Sequence, residues 1–159
     1  MQTSDEVNRI LALLADGPLR LEKAARGVQT SRLNQQTETE PWSVSDILSH
    51  LRACSDSWGN SIRAMLTQEN PTQRYVSPRS WMKKPKYREE TFAMALALFT
   101  EERQKLLETL QELDEADWAR PGTFTGTSAR QRNQTVFSFA RRMVNHEQPH
   151  LEQIEALLR

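Results

Sequence analysis

Residues 42–65 read WSVSDILSHLRACSDSWGNSIRAM, and they carry the clearest helix signal of the chain. Ser43 and Asp46 have the spacing of a capping box, in which each side chain accepts a hydrogen bond from the other residue's backbone N–H. Trp42 and Ile47 have the spacing of a hydrophobic staple across the same helix start. The stretch therefore predicts a long amphipathic helix with an apolar face made of Val44, Ile47, Leu48, Leu51, Cys54, Trp58, Ile62 and Met65.

Four other stretches show apolar residues at helical spacing. Residues 7–14 form a short stripe that Gly17-Pro18 is expected to stop, and a second short helical piece follows over residues 19–26. Residues 88–113 and 129–159 predict two further long helices. Neither Asn-Gly nor Asp-Gly joins two alternating runs, as a β-hairpin turn would.

The order of these helices predicts an all-α fold, a four-helix bundle. A long connection over residues 72–86 separates the second helix from the third, so the bundle is expected to have a long crossover there. In the third helix, apolar residues step by fours and threes, which suits near-parallel packing, and Arg103 alone interrupts them. A chain of 159 residues suits one core, and residues 1–159 are expected to form a single domain.

The composition excludes several classes of protein. Twenty-one Lys and Arg balance 21 Asp and Glu, which leaves no net charge to attract nucleic acid or an anionic membrane. The longest apolar run, residues 92–99, is far shorter than a membrane-spanning helix requires. The single cysteine, Cys54, excludes an intramolecular disulfide, and the first residues do not resemble a signal peptide. We expect a soluble, cytoplasmic protein without nucleic acid or membrane partners.

The three histidines lie on the two best-defined helices. On a helical projection, His50 falls about 60° from Ile47, at the margin of the apolar face. His146 and His150 are four residues apart, which places their imidazoles on one side of the last helix, roughly 5–6 Å apart at Cβ. If the second and fourth helices are neighbours, His50 adds a third nitrogen from across their interface.

Three imidazoles with an open coordination position are typical of a catalytic metal site. Neutral ligands leave the full charge of a divalent ion available to acidify a bound water or thiol. The alternative is that each histidine is a satisfied core side chain or a surface residue, and for a single histidine this alternative is favoured. Three histidines on or beside inward faces favour a metal site formed by His50, His146 and His150.

Residues 146–150 read HEQPH, which also matches the HExxH pattern of zinc metalloproteases. A zincin takes its third ligand downstream, and only residues 151–159 follow, so the protease is the weaker alternative. Glu147 falls about 40° from the centre of the apolar face, and it is either a candidate catalytic base or a partly exposed helix acid. Pro149 lacks an N–H and is expected to kink the helix between the two histidines.

The residues around the histidines resemble two motifs of the DinB-like (DinB/YfiT) family. WSVSDILSHL at residues 42–51 is similar to the stretch W-S-x-x-[DE]-x-L-x-H-L that opens the family's second helix. HEQPHLEQI at residues 146–154 is similar to the family's closing H-x-x-x-H-x-x-Q-I. The order of the helices and the crossover extend the similarity over most of the chain. Pro149 departs from the family's pattern, in which a residue that continues the helix is usual.

The resemblance implies a four-helix bundle, often a homodimer, in which the matching histidines bind a divalent ion, commonly zinc or nickel. On this pattern His50, His146 and His150 are the ligands. Characterised members include thiol-dependent transferases and isomerases, which implies a small-molecule substrate and a low-molecular-weight thiol as cosubstrate. Our leading hypothesis is a metal-dependent enzyme that activates a small thiol, or water, for transfer to an electrophile. A non-enzymatic metal-binding or dimerisation module is the alternative.

The sequence contains two basic clusters. Arg79 and the lysines at positions 83, 84 and 86 surround Trp81 in the crossover. They can bind an anion, although a solvated loop is favoured because the chain has no net charge. Arg141 and Arg142 predict a solvated face of the last helix.

Two helix residues also leave alternatives open. Cys54, one turn after His50, is a fourth ligand, a redox thiol or a small buried hydrophobe, and the last interpretation is favoured. Arg103 binds a substrate carboxylate, pairs with an acid such as Glu147, or extends its charged end to water.

Overall fold

The computed structural model describes residues 2–159, and most of them are helical. In chain order the elements are α1 (Ser4–Ala25), α2 (Thr30–Leu33), α3 (Val44–Thr67), β1 (Thr72–Arg74), α4 (Pro78–Met82), α5 (Pro85–Arg88), α6 (Phe92–Gln111), α7 (Glu115–Trp118), β2 (Pro121–Thr125), a 3₁₀ turn (Ala129–Gln131), β3 (Asn133–Thr135) and α8 (Val136–Leu157). Both α1 and α3 pack against α6 and α8, so these four long helices enclose one core. The predicted four-helix bundle is confirmed, with the crossover between α3 and α6. No helix within residues 2–159 is long and apolar enough to cross a bilayer.

The capping residues decide where the long helices begin. At the start of α3 the Ser43 hydroxyl accepts a hydrogen bond from the Asp46 N–H at 3.1 Å, and the Asp46 carboxylate accepts one from the Ser43 N–H at 2.9 Å. This capping box was predicted. α8 begins later than predicted, because residues 129–135 form a 3₁₀ turn and a strand, and the side chain of Thr135 caps the helix. Likewise, the Thr91 side chain caps α6 and leaves α5 as a separate short helix.

The prediction that the first helix stops at Gly17-Pro18 is wrong, since α1 continues through both residues. Proline has no N–H to offer the carbonyl of Leu14, four residues earlier in the helix. Nη1 of Arg103 in α6 donates a hydrogen bond to that carbonyl oxygen at 2.8 Å. A side chain from another helix therefore replaces the bond that Pro18 removes.

Three short strands, which the sequence does not predict, form a small sheet in the order β1-β2-β3. β1 pairs in parallel with β2, where Thr72 lies opposite Thr123, and β2 pairs antiparallel with β3, where Thr123 lies opposite Asn133. Through these pairings the crossover, which contains β1, is hydrogen-bonded to the segment before α8, which contains β2 and β3. α4 and α5, which follow β1 in the crossover, pack on α3.

The core consists of two apolar clusters on either side of a polar layer. One cluster includes Cys54, Trp58, Leu106, Phe139 and Met143. The other includes Leu48, Leu51, Phe99, Leu151 and Ile154. Along α6 and α8 the buried side chains of Arg103 and Glu147 fall between members of the two clusters, and on α3 the buried His50 lies one turn before Cys54. Together with His146 and His150 they form what we call the polar layer.

Candidate metal centre

Three histidines converge where α3 and α8 pack together, and we call them the triad. His50 projects from α3, and His146 and His150 project from α8. One ring nitrogen of each lies within 4.8 Å of the other two. A shared site requires α3 and α8 to be neighbours, and they pack against each other. His50 is buried and the other two are half-buried, so the triad lies at the edge of the core.

The spacing of the imidazoles fits a single divalent ion. Nε2 of His50 and Nε2 of His146 are 3.1 Å apart, and the three ring centroids are 4.8 to 5.0 Å apart. A tetrahedral ion with metal–nitrogen bonds of about 2.0–2.1 Å holds its ligand nitrogens roughly 3.3 Å from one another. The rings therefore lie close to the separation that a shared ion needs, and within residues 2–159 no other His, Cys, Asp or Glu joins the group.

Pro149 does not separate the two histidines of α8, contrary to our prediction. The helix is continuous through it, and the rings of His146 and His150 remain 4.8 Å apart. The proline leaves the carbonyl of Asn145 without its helical donor. Asn145 and Pro149 are both exposed, so the change in hydrogen bonding is on the solvent side of the helix.

A relay of two side chains orients His150. Nδ1 of His150 lies 3.2 Å from Oε1 of Gln153, and since an amide oxygen can only accept, Nδ1 carries the proton. This leaves Nε2 of His150 free for a metal. Nε2 of Gln153 donates in turn to Oε2 of Glu40, from the loop before α3. Such partners fix the tautomer and orientation of a metal-binding histidine. The spacing of three residues between His150 and Gln153 could have indicated the first contact, but no sequence signal pointed to Glu40.

Replacing Gln153 by leucine is expected to lower metal affinity about 10- to 100-fold, because His150 loses the acceptor that fixes its ring. Competition with a chromogenic chelator measures this change. Glu152→Leu at the exposed neighbouring position is the matched control, and it should bind metal as the wild type does. Equal affinity of Gln153→Leu and wild type would show that the relay does not orient His150.

Burial keeps two of the three imidazoles neutral. Removal from water, reinforced by the neighbouring imidazoles and by Arg79, lowers the pKa of His50 to about 3. Burial also lowers the pKa of His146 to about 4, again with help from neighbouring positive charge. Nδ1 of His146 is buried without a hydrogen-bond partner among residues 2–159. Neutral imidazoles are the form of histidine that binds a divalent metal.

The metal-free protein is expected to lose stability as the pH falls from about 7 toward about 3. In the unfolded chain His50 and His146 have an ordinary pKa of 6.5, whereas in the fold it is about 3 and about 4. Between these values the unfolded chain binds more protons, so the free energy of unfolding decreases with falling pH. Urea denaturation at a series of pH values measures it. The variant with glutamine at both positions should show a flatter profile, and parallel profiles would contradict the assignment.

Cys54 lies beside the triad without being part of it. Its Sγ is 3.7 Å from Nε2 of His50, one turn earlier on α3. Burial raises the pKa of the thiol to about 12, and a thiol of this kind stays protonated at neutral pH. The structure therefore fits the interpretation of Cys54 as a small buried hydrophobe better than that of a ligand or a redox thiol.

Glu147 is buried and forms an ion pair with Arg103 of α6. Nη1 and Nη2 of Arg103 donate to Oε1 and Oε2 of Glu147 at 3.0 and 2.6 Å. A Cβ at Gly17 would lie 2.1 Å from Oε1 of Glu147, so the glycine of α1 leaves the space that this carboxylate fills. Among the interpretations of Arg103, the pairing with an acid is confirmed. The pairing gives Glu147 a structural role, and its role as a catalytic base stays a prediction.

Two tryptophan rings pack against histidines of the triad. The ring centroid of Trp42 is 5.1 Å from that of His50, and the ring centroid of Trp58 is 5.1 Å from that of His146. Arg142 is half-buried with its Cζ 5.3 Å from the Trp58 ring centroid. The prediction that Arg142 belongs to a solvated face is therefore wrong. Its position four residues before His146 places it on the same face of α8, and this spacing is a signal that could have found it.

The comparisons with known proteins concern both sequence and fold. The chain matches the DinB superfamily over residues 13–154. It is also similar to the solved structure of YfiT from Bacillus subtilis, described as a probable metal-dependent hydrolase with an unusual four-helix bundle topology. The TM-score is 0.84 at 18% sequence identity, covering 99% of this chain and 88% of that chain; at this identity the similarity shows the fold alone. A comparison with curated protein sequences finds no match. Since the family match extends over nearly all of the bundle, the chain belongs to the DinB superfamily.

Proposed function

We propose that this protein is a divalent-metal-dependent enzyme that activates a small thiol, or water, for attack on an electrophilic small molecule. The observation that supports this proposal is the convergence of His50, His146 and His150 within 4.8 Å. Three protein ligands leave a fourth position of a tetrahedral ion open, and an open position is typical of catalytic rather than structural sites. Imidazole ligands suit zinc and nickel, and we propose one of these as the ion.

The residues around the proposed ion determine its charge, the orientation of its ligands and its access to water. An ion held by three neutral imidazoles keeps its full charge, and when bound it favours the thiolate form of a small thiol at neutral pH. Gln153 holds the ring of His150, and the burial of His50 keeps water from the inner side of the site. Trp42 and Trp58 provide apolar surface beside the reacting group.

Hydrolysis by a metal-bound water and peptide cleavage by an HExxH protease are the alternatives to thiol transfer for the same residues. The description of YfiT as a probable metal-dependent hydrolase supports water as the alternative nucleophile. The HExxH protease has less support, because the glutamate of that pattern, Glu147, is already bound by Arg103. In addition, the third histidine comes from α3 and not from the chain after the motif.

A reaction screen with metal-loaded protein tests the proposal. Protein stripped by a chelator and reloaded with zinc or nickel is incubated with small thiols and a chromogenic aryl chloride, and separately with a nitrophenyl ester. Cys54→Ala is the background for this screen, since it removes the only thiol of the chain. His150→Ala in the same background removes one proposed ligand.

Thiol transfer that requires the metal and disappears in His150→Ala is the expected result. Metal-dependent ester hydrolysis without thiol transfer would establish water as the nucleophile. A protein that binds metal stoichiometrically but catalyses neither reaction would contradict the proposal and favour a non-enzymatic metal-binding module.

A further inference from the structure

Arg79 of α4 lies over the ring of Trp42, and Trp42 lies beside the triad. Its Cζ is 5.0 Å from the ring centroid of Trp42, and this ring is 5.1 Å from that of His50. Arg79 is exposed, so the crossover brings a cation to the outer side of the triad.

Arg142 of α8 holds a second cation near the triad. Its Cζ is 5.3 Å from the ring centroid of Trp58, which lies 5.1 Å from that of His146. Nη2 of Arg142 donates a hydrogen bond to the hydroxyl of Tyr75 at 3.4 Å. These contacts keep a half-buried guanidinium one helical turn before His146.

Neither Arg79 nor Arg142 has an acidic partner. Within residues 2–159, no carboxylate oxygen lies within 4.0 Å of either guanidinium. The fully buried arginines of the bundle, in contrast, are paired with glutamates, as Arg103 is with Glu147. Arg142 is the half-buried one of the two, and a half-buried cation without a counter-charge is unfavourable. The arrangement therefore favours an anion that is not part of the chain.

The acidic side chains that reach this part of the core are already bound. Both oxygens of Glu147 accept hydrogen bonds from Arg103. Glu40 accepts from the side chain of Gln153 and from the backbone N–H of Trp42. The charge of the two free arginines therefore stays available to a ligand at the triad.

We propose that Arg79 and Arg142 bind the carboxylate of a substrate whose reacting group is at the triad, so that the protein selects anionic small molecules over neutral ones. Guanidinium groups match carboxylates through charge-assisted and bidentate hydrogen bonds. The tryptophan faces position both groups and limit the rotamers that binding would otherwise have to order. This inference rests on the proposed function, because it places the reacting group at a metal held by the triad.

Cobalt-substituted protein provides a test that does not depend on turnover. Co²⁺ replaces zinc in imidazole sites and gives visible bands that report its coordination, and a thiolate bound to it adds a charge-transfer band in the near ultraviolet. Mercaptoacetate and 2-mercaptoethanol are titrated separately, since they are thiols of similar size of which only the first carries a carboxylate. We expect mercaptoacetate to bind about 10-fold or more tightly than 2-mercaptoethanol.

Arg79→Met and Arg142→Met separate the two contributions. Each is expected to reduce the preference for mercaptoacetate, and the double variant should bring the two thiols near parity while the cobalt bands stay unchanged. Arg141→Met is the matched control, because Arg141 is adjacent on α8 and lies over Phe137, with its Cζ 5.4 Å from that ring centroid. It should keep the wild-type preference.

The outcomes of these titrations test the metal centre and the carboxylate site separately. A protein that does not load cobalt, or whose cobalt bands do not change in His146→Ala, would contradict the proposed metal centre. A protein that loads cobalt but binds both thiols equally, or keeps its preference in the double arginine variant, would overturn the carboxylate site alone.

Discussion

His146→Ala is expected to lose at least about 100-fold in affinity for zinc or nickel, a larger effect than the loss of a supporting residue such as Gln153. His146 is close to both other histidines of the proposed metal centre. Its Nε2 is 3.1 Å from Nε2 of His50, and its ring centroid is 4.8 Å from that of His150. Its removal leaves two imidazoles on different helices. Chelator competition and metal analysis of the purified protein measure the change.

The control for this variant is Asn145→Ala, at the exposed neighbouring position of α8. It should bind metal with the wild-type affinity and keep the wild-type stability. If His146→Ala bound metal as tightly as the control, His146 would not be a ligand.

Arg103→Met is expected to destabilise the fold by about 3–5 kcal/mol, because it leaves the buried Glu147 without its partner. Arg103 is only 1% exposed and also donates to the carbonyl of Leu14 that Pro18 leaves free. The variant therefore loses the ion pair and the replacement for a helical hydrogen bond at once. Urea denaturation monitored by circular dichroism measures the free energy of unfolding.

The double variant Arg103→Met/Glu147→Leu shows which loss dominates. It should recover most of the stability, since replacing both partners of a buried ion pair by apolar groups is often close to neutral. It should also bind metal, because no atom of the pair belongs to the triad. A double variant as unstable as Arg103→Met would mean that the unpaired carboxylate is not the main cost.

Local signals in the sequence were sufficient for α3 and for the histidines. The capping box of Ser43 and Asp46 depends on residues three apart, and the i, i+4 spacing of His146 and His150 places both on one side of a helix. What a spacing could not show is that α3 and α8 are neighbours. The prediction of a shared site assumed that contact, and the contacts of the bundle confirm it.

The errors come from partners that lie far away in the chain. Gly17-Pro18 has the local pattern of a helix end, but the carbonyl it leaves free is bound by Arg103 from another helix. β1 depends on a partner strand on the far side of α6, so no hairpin signal lies next to it in the sequence. Pro149 does not disrupt the triad because its effect is confined to the solvent side of α8. Predictions of a homodimer and of a cytoplasmic location stay predictions.

Anomalous diffraction at the zinc edge from crystals of the zinc-loaded protein shows whether the three histidines share an ion. We expect one ion bonded to a nitrogen of each of His50, His146 and His150, at distances of about 2.0–2.1 Å. An ion held by other residues, or rings of the triad that turn away from one another in the loaded crystal, would contradict it.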